Sequence, residues 1–282
     1  MRLQWTALAA LLPTLAFGVP HERRGEPSRK HFEEAGGSLE LLHYDVRFFK
    51  NEIGYQEHRY VLRDAIRSYL EVLNSHNVET WLAHGTLLGW WWNGQIMPWD
   101  YDLDVQLSHT AMQWLADNLN NTKHDYNGTA MNGDPVNRTY LLDINPHHSD
   151  MTVGDGQNII DARWIDTSNG MFIDLTVVRE RDTNRPGVWS CKNYHYYNTE
   201  DLWPMRLTDF EGVTVKIPYN FEKILIDEYS TGALTNEDYH EHKWDKDIKE
   251  WVKSSPDDQD AKDQRQAALQ RKKTQLKAQG RL

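Results

Sequence analysis

The chain contains one cysteine, Cys191, in 282 residues. No intrachain disulfide can form, and a zinc site built from thiolates is excluded. Positive charge is in short supply. The net charge is −11 and the pI about 5.6, so there is no broad basic surface and no nucleic-acid partner is expected. No internal repeat is present. Long apolar runs are missing as well, with one exception at the N-terminus, where Arg2 precedes Thr6–Phe17. Pro13 interrupts that run, which is short for a membrane span. With Ala16-Phe17-Gly18 ahead of Val19, residues 1–18 read as a secretory signal peptide, which points to the secretory pathway, in the Golgi lumen or beyond the cell. Three glycosylation sequons, at Asn120, Asn127 and Asn137, agree with that route. They cluster in a polar stretch that reads as a surface loop.

What remains is a soluble globular composition, 39% hydrophobic and 26% charged, with 12 tryptophans, most of them expected in the core. Residues 19–40 read as a flexible lead-in, 41–252 as the folded domain and 253–282 as a flexible charged tail. Leu62, Ala65, Ile66, Tyr69, Leu70 and Leu73 recur at helical spacing and predict a helix over Gln56–Asn74. A strand over Val78–Ala83 should lead into a short helix, Thr86–Trp92. Ser108 is the expected N-cap of another helix running through Asn118. Strands are expected over Tyr140–Ile144, Ile159–Ile165 and Gly170–Val178, and a hairpin turn at Phe210–Val213. Helices should follow over Tyr219–Tyr229 and Glu237–Val252. The fold class is α/β, of the α+β kind, a mixed sheet flanked by helices.

Chemistry concentrates between Trp81 and Leu107. Asp100, Asp102 and Asp104 alternate with Tyr101, Leu103 and Val105, so in a strand the acids share one face. Like charges held together cost free energy unless a cation neutralises them. Further on, Asp174 sits alone in the apolar strand Phe172-Ile173-Asp174-Leu175 and needs a partner there. An acid pair, a third acid on a neighbouring strand and the Gly85-Thr86 turn suit phosphoryl transfer. The carboxylates would hold magnesium or manganese, and the helix N-terminus would meet a phosphate. An EF-hand is excluded, because Val105 and Ala111 stand where that loop needs glycine and glutamate. His147-His148 and His240-x-His242 are explained by polar surface, and Cys191 by a small buried residue.

His84-Gly85-Thr86-Leu87-Leu88-Gly89 followed by Pro98-Trp99-Asp100-Tyr101-Asp102-Leu103-Asp104 resembles the signature of the LicD family. That family includes bacterial phosphocholine transferases, fukutin and fukutin-related protein, and fungal proteins of cell-wall mannosylphosphorylation. The insertion Trp90-Trp91-Trp92-Asn93-Gly94 is most similar to the fungal branch, and the resemblance spans roughly His43–Tyr229. It implies a nucleotidyltransferase-like fold that transfers a phospho-substituent from a nucleotide-activated donor (GDP-mannose or a CDP-linked compound) to a glycan hydroxyl. Asp102, Asp104 and Asp174 would be the catalytic and metal-binding residues. Gly85, Thr86 and Arg163 would contact donor phosphate, with His84, Asp100 and Asp166 in support. Two alternatives stand beside it: a metal-dependent Asp-x-Asp glycosyltransferase, and a non-catalytic regulator working with a partner transferase.

Overall fold

The computed structural model describes residues 30–38, 40–150 and 158–254, with scattered positions between 266 and 277. The expected signal peptide and most of the tail lie outside them. Among the described residues no helix is long and apolar enough to cross a membrane.

Helix α1 (Tyr55–Ser75) presents Val61, Leu62, Ala65, Ile66, Tyr69, Leu70 and Leu73 as one buried stripe, as its spacing dictates. Strand β1 (Trp81–Leu82), helix α2 (His84–Asn93), strand β2 (Leu103–Ser108) and helix α3 (His109–Asn118) follow. The Ser108 hydroxyl caps α3 by accepting the Ala111 N–H. Next come β3 (Thr122–Thr129), β4 (Pro135–Ile144), β5 (Ala162–Asp166), β6 (Phe172–Glu180), β7 (Val188–Ser190) and β8 (Tyr196–Asn198). The chain then forms α4 (Thr199–Leu202), the hairpin β9 (Arg206–Phe210) and β10 (Val213–Ile217), then α5 (Phe221–Tyr229) and α6 (Gly232–Thr235). It continues as β11 (Asp238–Tyr239), β12 (His242–Asp245) and β13 (Glu250–Lys253).

The main sheet runs β1-β2-β6-β5-β4-β3, with β7 and β8 extending from β6. Only β2 and β6 pair in parallel along that path; the other neighbours are antiparallel. Helix α1 covers one face, where Trp164 of β5 donates its indole N–H to Ser68 and packs edge-on against Tyr69. The fold is thus the expected mixed sheet flanked by helices. On the opposite face, strand register lines up a charged rung: Asp104 of β2 opposes Asp174 of β6, Asp174 opposes Arg163 of β5, and Arg163 opposes Asp143 of β4.

Three expectations are corrected. The sequon stretch is the hairpin β3–β4, in which Asn127 and Asn137 are exposed cross-strand neighbours. Its side chains alternate half-buried and exposed, a period of two that a polar composition conceals. Glu237–Val252, expected as a helix, is instead the three-stranded sheet β11-β12-β13. Trp244 and Trp251 face each other across its strands, and positive φ at His240, Glu241 and Lys249 makes its tight turns. The lead-in is packed rather than loose where it is described: Phe32 is buried, and Glu34 bridges to Asp45 in backbone pairing.

Candidate functional site

Strand β2 carries Asp102 at its entry and Asp104 within it, and β6 brings Asp174 alongside. One carboxylate oxygen from each lies within 4.8 Å of the others, so the acidic pair and the distant third acid meet. Burial first, and then the charge of Asp102, raises the Asp104 carboxyl well above its ordinary value. Burial also raises Asp174, against the pull of Arg163. Such a set is unfavourable by itself, and a divalent cation bound by oxygen ligands would remove the repulsion, so these three residues fit magnesium or manganese.

The neighbours hold this geometry. Thr86, in the first turn of α2, accepts the backbone N–H of Asp104 on its hydroxyl at 2.8 Å. Its oxygen therefore anchors β2, beside any contact it makes to a phosphate. Gly85 permits a close approach: a Cβ there would lie 3.3 Å from Asp100 Oδ2, so the carboxylate would have to shift to admit one. Asp100 thus folds back over the start of α2, and burial together with Asp102 pushes its carboxyl up to about 8.

Arg163 is buried rather than open. Its Nε donates to Asp174 Oδ1 at 2.7 Å and its Nη2 to Glu34 at 2.8 Å, while the guanidinium lies over the Phe172 ring at 3.7 Å. It is the counter-ion and orienter of Asp174. Asp166 lies on the α1 face, fully buried, where it accepts from Arg138, Asn169 and Ser168. It ties the β5–β6 turn to β4 and does not join the carboxylate set.

A second convergence was not legible in sequence. His84 Nδ1 lies 3.0 Å from Glu228 of α5, whose other oxygen accepts from the Tyr197 hydroxyl, and the His195 ring stacks obliquely on His84 at 4.4 Å. Burial disfavours a charged His84, but Glu228, Asp104 and Asp102 together raise its pKa. Burial and the adjacent His84 lower that of His195. The two shifts run in opposite directions, so of the paired rings His84 is the one whose surroundings favour the protonated form. Glu228 stands 144 positions from His84, which is why no local pattern announced it. The Cys191 thiol lies 3.3 Å from His195, yet it is buried and its pKa is raised, the opposite of an activated nucleophile.

The sequence motif, the mixed sheet and the converging carboxylates coincide with one family. A model described as LicD/FKTN/FKRP, nucleotidyltransferase domain, matches residues 77–220. The chain belongs to the LicD family. Within this LicD chain the matched span contains Gly85, Asp102, Asp104, Arg163 and Asp174, and it ends before α5 and the sheet β11-β12-β13. Two proteins of Saccharomyces cerevisiae are similar to it. Mannosyltransferase regulator 4 is 34% identical over 157 residues, which cover 52% of this chain and 13% of that protein. Mannosyltransferase regulator 14 is 32% identical over 160 residues, covering 52% and 16%. This LicD chain therefore matches only a small part of the length of either relative.

Proposed function

We propose that this LicD chain transfers a phospho-substituent, mannose phosphate in the first instance, from a nucleotide-activated donor to a hydroxyl of a glycan in the secretory pathway. The observation that carries the reading is the convergence of Asp102, Asp104 and Asp174 on one point, with Arg163 behind Asp174 and Thr86 behind Asp104. A magnesium or manganese ion held by the three carboxylates would neutralise the donor diphosphate. The chain's own part is positional: Asp104 and Asp174 are fixed by two strands in register with Asp102 just ahead of the first, and His84, paired with Glu228, lies on the α2 side. The acceptor hydroxyl oxygen bonds to the phosphorus that bears the sugar, the P–O bond of the diphosphate breaks, and nucleoside monophosphate leaves. The hydroxyl proton passes to a carboxylate oxygen of the site.

The names of the two yeast relatives favour a second reading, in which the LicD chain regulates a partner mannosyltransferase without catalysing transfer. One experiment separates the readings. Purified chain is incubated with magnesium, GDP-mannose and a mannose oligosaccharide, and the nucleotide product is identified. Release of GMP that stops in Asp104→Ala supports phospho-transfer. Release of GDP points to glycosyl transfer, and no turnover with intact metal binding points to the regulator.

A further inference from the structure

Beside the carboxylates opens a cleft of about 380 Å³, within the span of ordinary small-molecule sites. Its inner end is Gly85 and Asp100, so it adjoins the start of α2 and the entry to β2. Trp92 and Trp99 line it from the span shared with the family. Tyr229, Asn236 and Tyr239 complete the lining and come from beyond that span. The cleft is thus formed where the family core meets the C-terminal segment 221–253.

Two further observations mark it as a binding site. Trp99 is held in place by Trp251 and Tyr239, at ring separations of 5.1 and 5.4 Å, and Tyr239 is itself 55% exposed. Aromatic area left in water beside a cleft is available to a ligand. The backbone is also strained on this side. Ser230, which lines the cleft, lies at φ 67 and ψ 167, a region that belongs almost wholly to glycine. Strained non-glycine residues of this kind cluster at ligand clamps.

We propose that the cleft binds a pyranose ring, laying its apolar face on the aromatic wall and offering its hydroxyls to Asn236 and Asp100, and that segment 221–253 thereby selects the sugar. This deepens the transfer reading and rests on it for the direction in which the ring presents its hydroxyl. The ring could come from the acceptor glycan or from the donor, and the test distinguishes them.

Mannobiose is titrated into the full chain without metal or nucleotide, followed by tryptophan fluorescence and saturation-transfer NMR. Wild type and Asp104→Asn should bind alike, while Tyr239→Ala and Asn236→Ala, checked for unchanged melting, should bind about tenfold more weakly. GDP and GDP-mannose with magnesium form the second arm. If the ring is the acceptor's, Asn236→Ala leaves both affinities as in wild type; if it is the donor's, only GDP-mannose weakens. Mannobiose that fails to bind wild type, binds both rim variants like wild type, or is outcompeted by choline overturns the proposal. Sugar binding without any transfer would sink the enzymatic reading and leave the cleft standing; transfer without sugar binding would do the reverse.

Discussion

The Thr86 hydroxyl accepts the Asp104 N–H at 2.8 Å, so the glycine turn and strand β2 are fastened by one hydrogen bond. Thr86→Val keeps the shape and removes the acceptor, leaving that N–H without its partner. We expect a loss of about 1–3 kcal/mol in urea unfolding, with Thr86→Ser close to wild type. Equal stability of the Val and Ser variants would show that the bond contributes nothing.

The carboxylate set should be a stability cost in the absence of a cation. Two like charges about 4 Å apart repel by about 4 kcal/mol at the effective dielectric of a protein surface. Asp104→Asn removes one of them, and the variant should melt at a higher temperature than wild type in chelator. Added magnesium should then raise the melting point of wild type and leave the variant unmoved. A magnesium shift of the same size in both would remove Asp104 from the ligand set.

Arg163 provides a test between two roles. As the partner of Asp174 and Glu34, its replacement in Arg163→Met strands buried Asp174, while half-buried Glu34 keeps Lys30, and should cost about 3–5 kcal/mol. Magnesium should rescue the variant by more than it stabilises wild type, because Asp174 then lacks its counter-charge. A variant of normal stability with weakened nucleotide binding would instead return Arg163 to the donor phosphate.

A buried imidazole gives the fold a dependence on acidity. His58 is fully buried and stacked on Tyr101 at 4.5 Å, and burial lowers its pKa from 6.5 to about 4. Below pH 6.5 the unfolded chain takes up a proton that the folded chain refuses until about pH 4. The contribution is therefore intact above pH 6.5, declines as pH falls through that window and is spent below it, about 3 kcal/mol in all. The stability of His58→Phe minus that of wild type should rise by this amount between pH 7 and pH 4. A difference independent of pH would mean that His58 titrates normally.

Local pattern revealed much of this molecule. The stripe of α1, the Ser108 cap and the lone acid of β6 each sit on a regular element whose period exposes them, whereas of the three alternating acids only Asp104 lies in β2; Asp100 and Asp102 belong to the turn and bend that lead into it. Strand period also implied that Asp104 and Asp174 could share a face. It could not show that Arg163 is occupied, since Glu34 approaches it from a segment whose composition reads as disordered. His84 was visible in the motif, but Glu228 and His195 reach it through tertiary packing alone. The sheet β11-β12-β13 was hidden because its strands are two to four residues long and rich in charge, too brief for an alternation to emerge.

One consequence concerns how the protein comes to be folded. Asp104 and Asp174 stand seventy positions apart and face each other in parallel register, so the centre exists only once the longest-range pairing in the sheet has closed. Parallel pairing across such a loop is slow to form, and here it closes against charge repulsion. A cation that binds the closed pairing and not the open chain draws folding forward by mass action. If the carboxylates hold a divalent ion, its supply would then govern how much of this chain reaches the folded state.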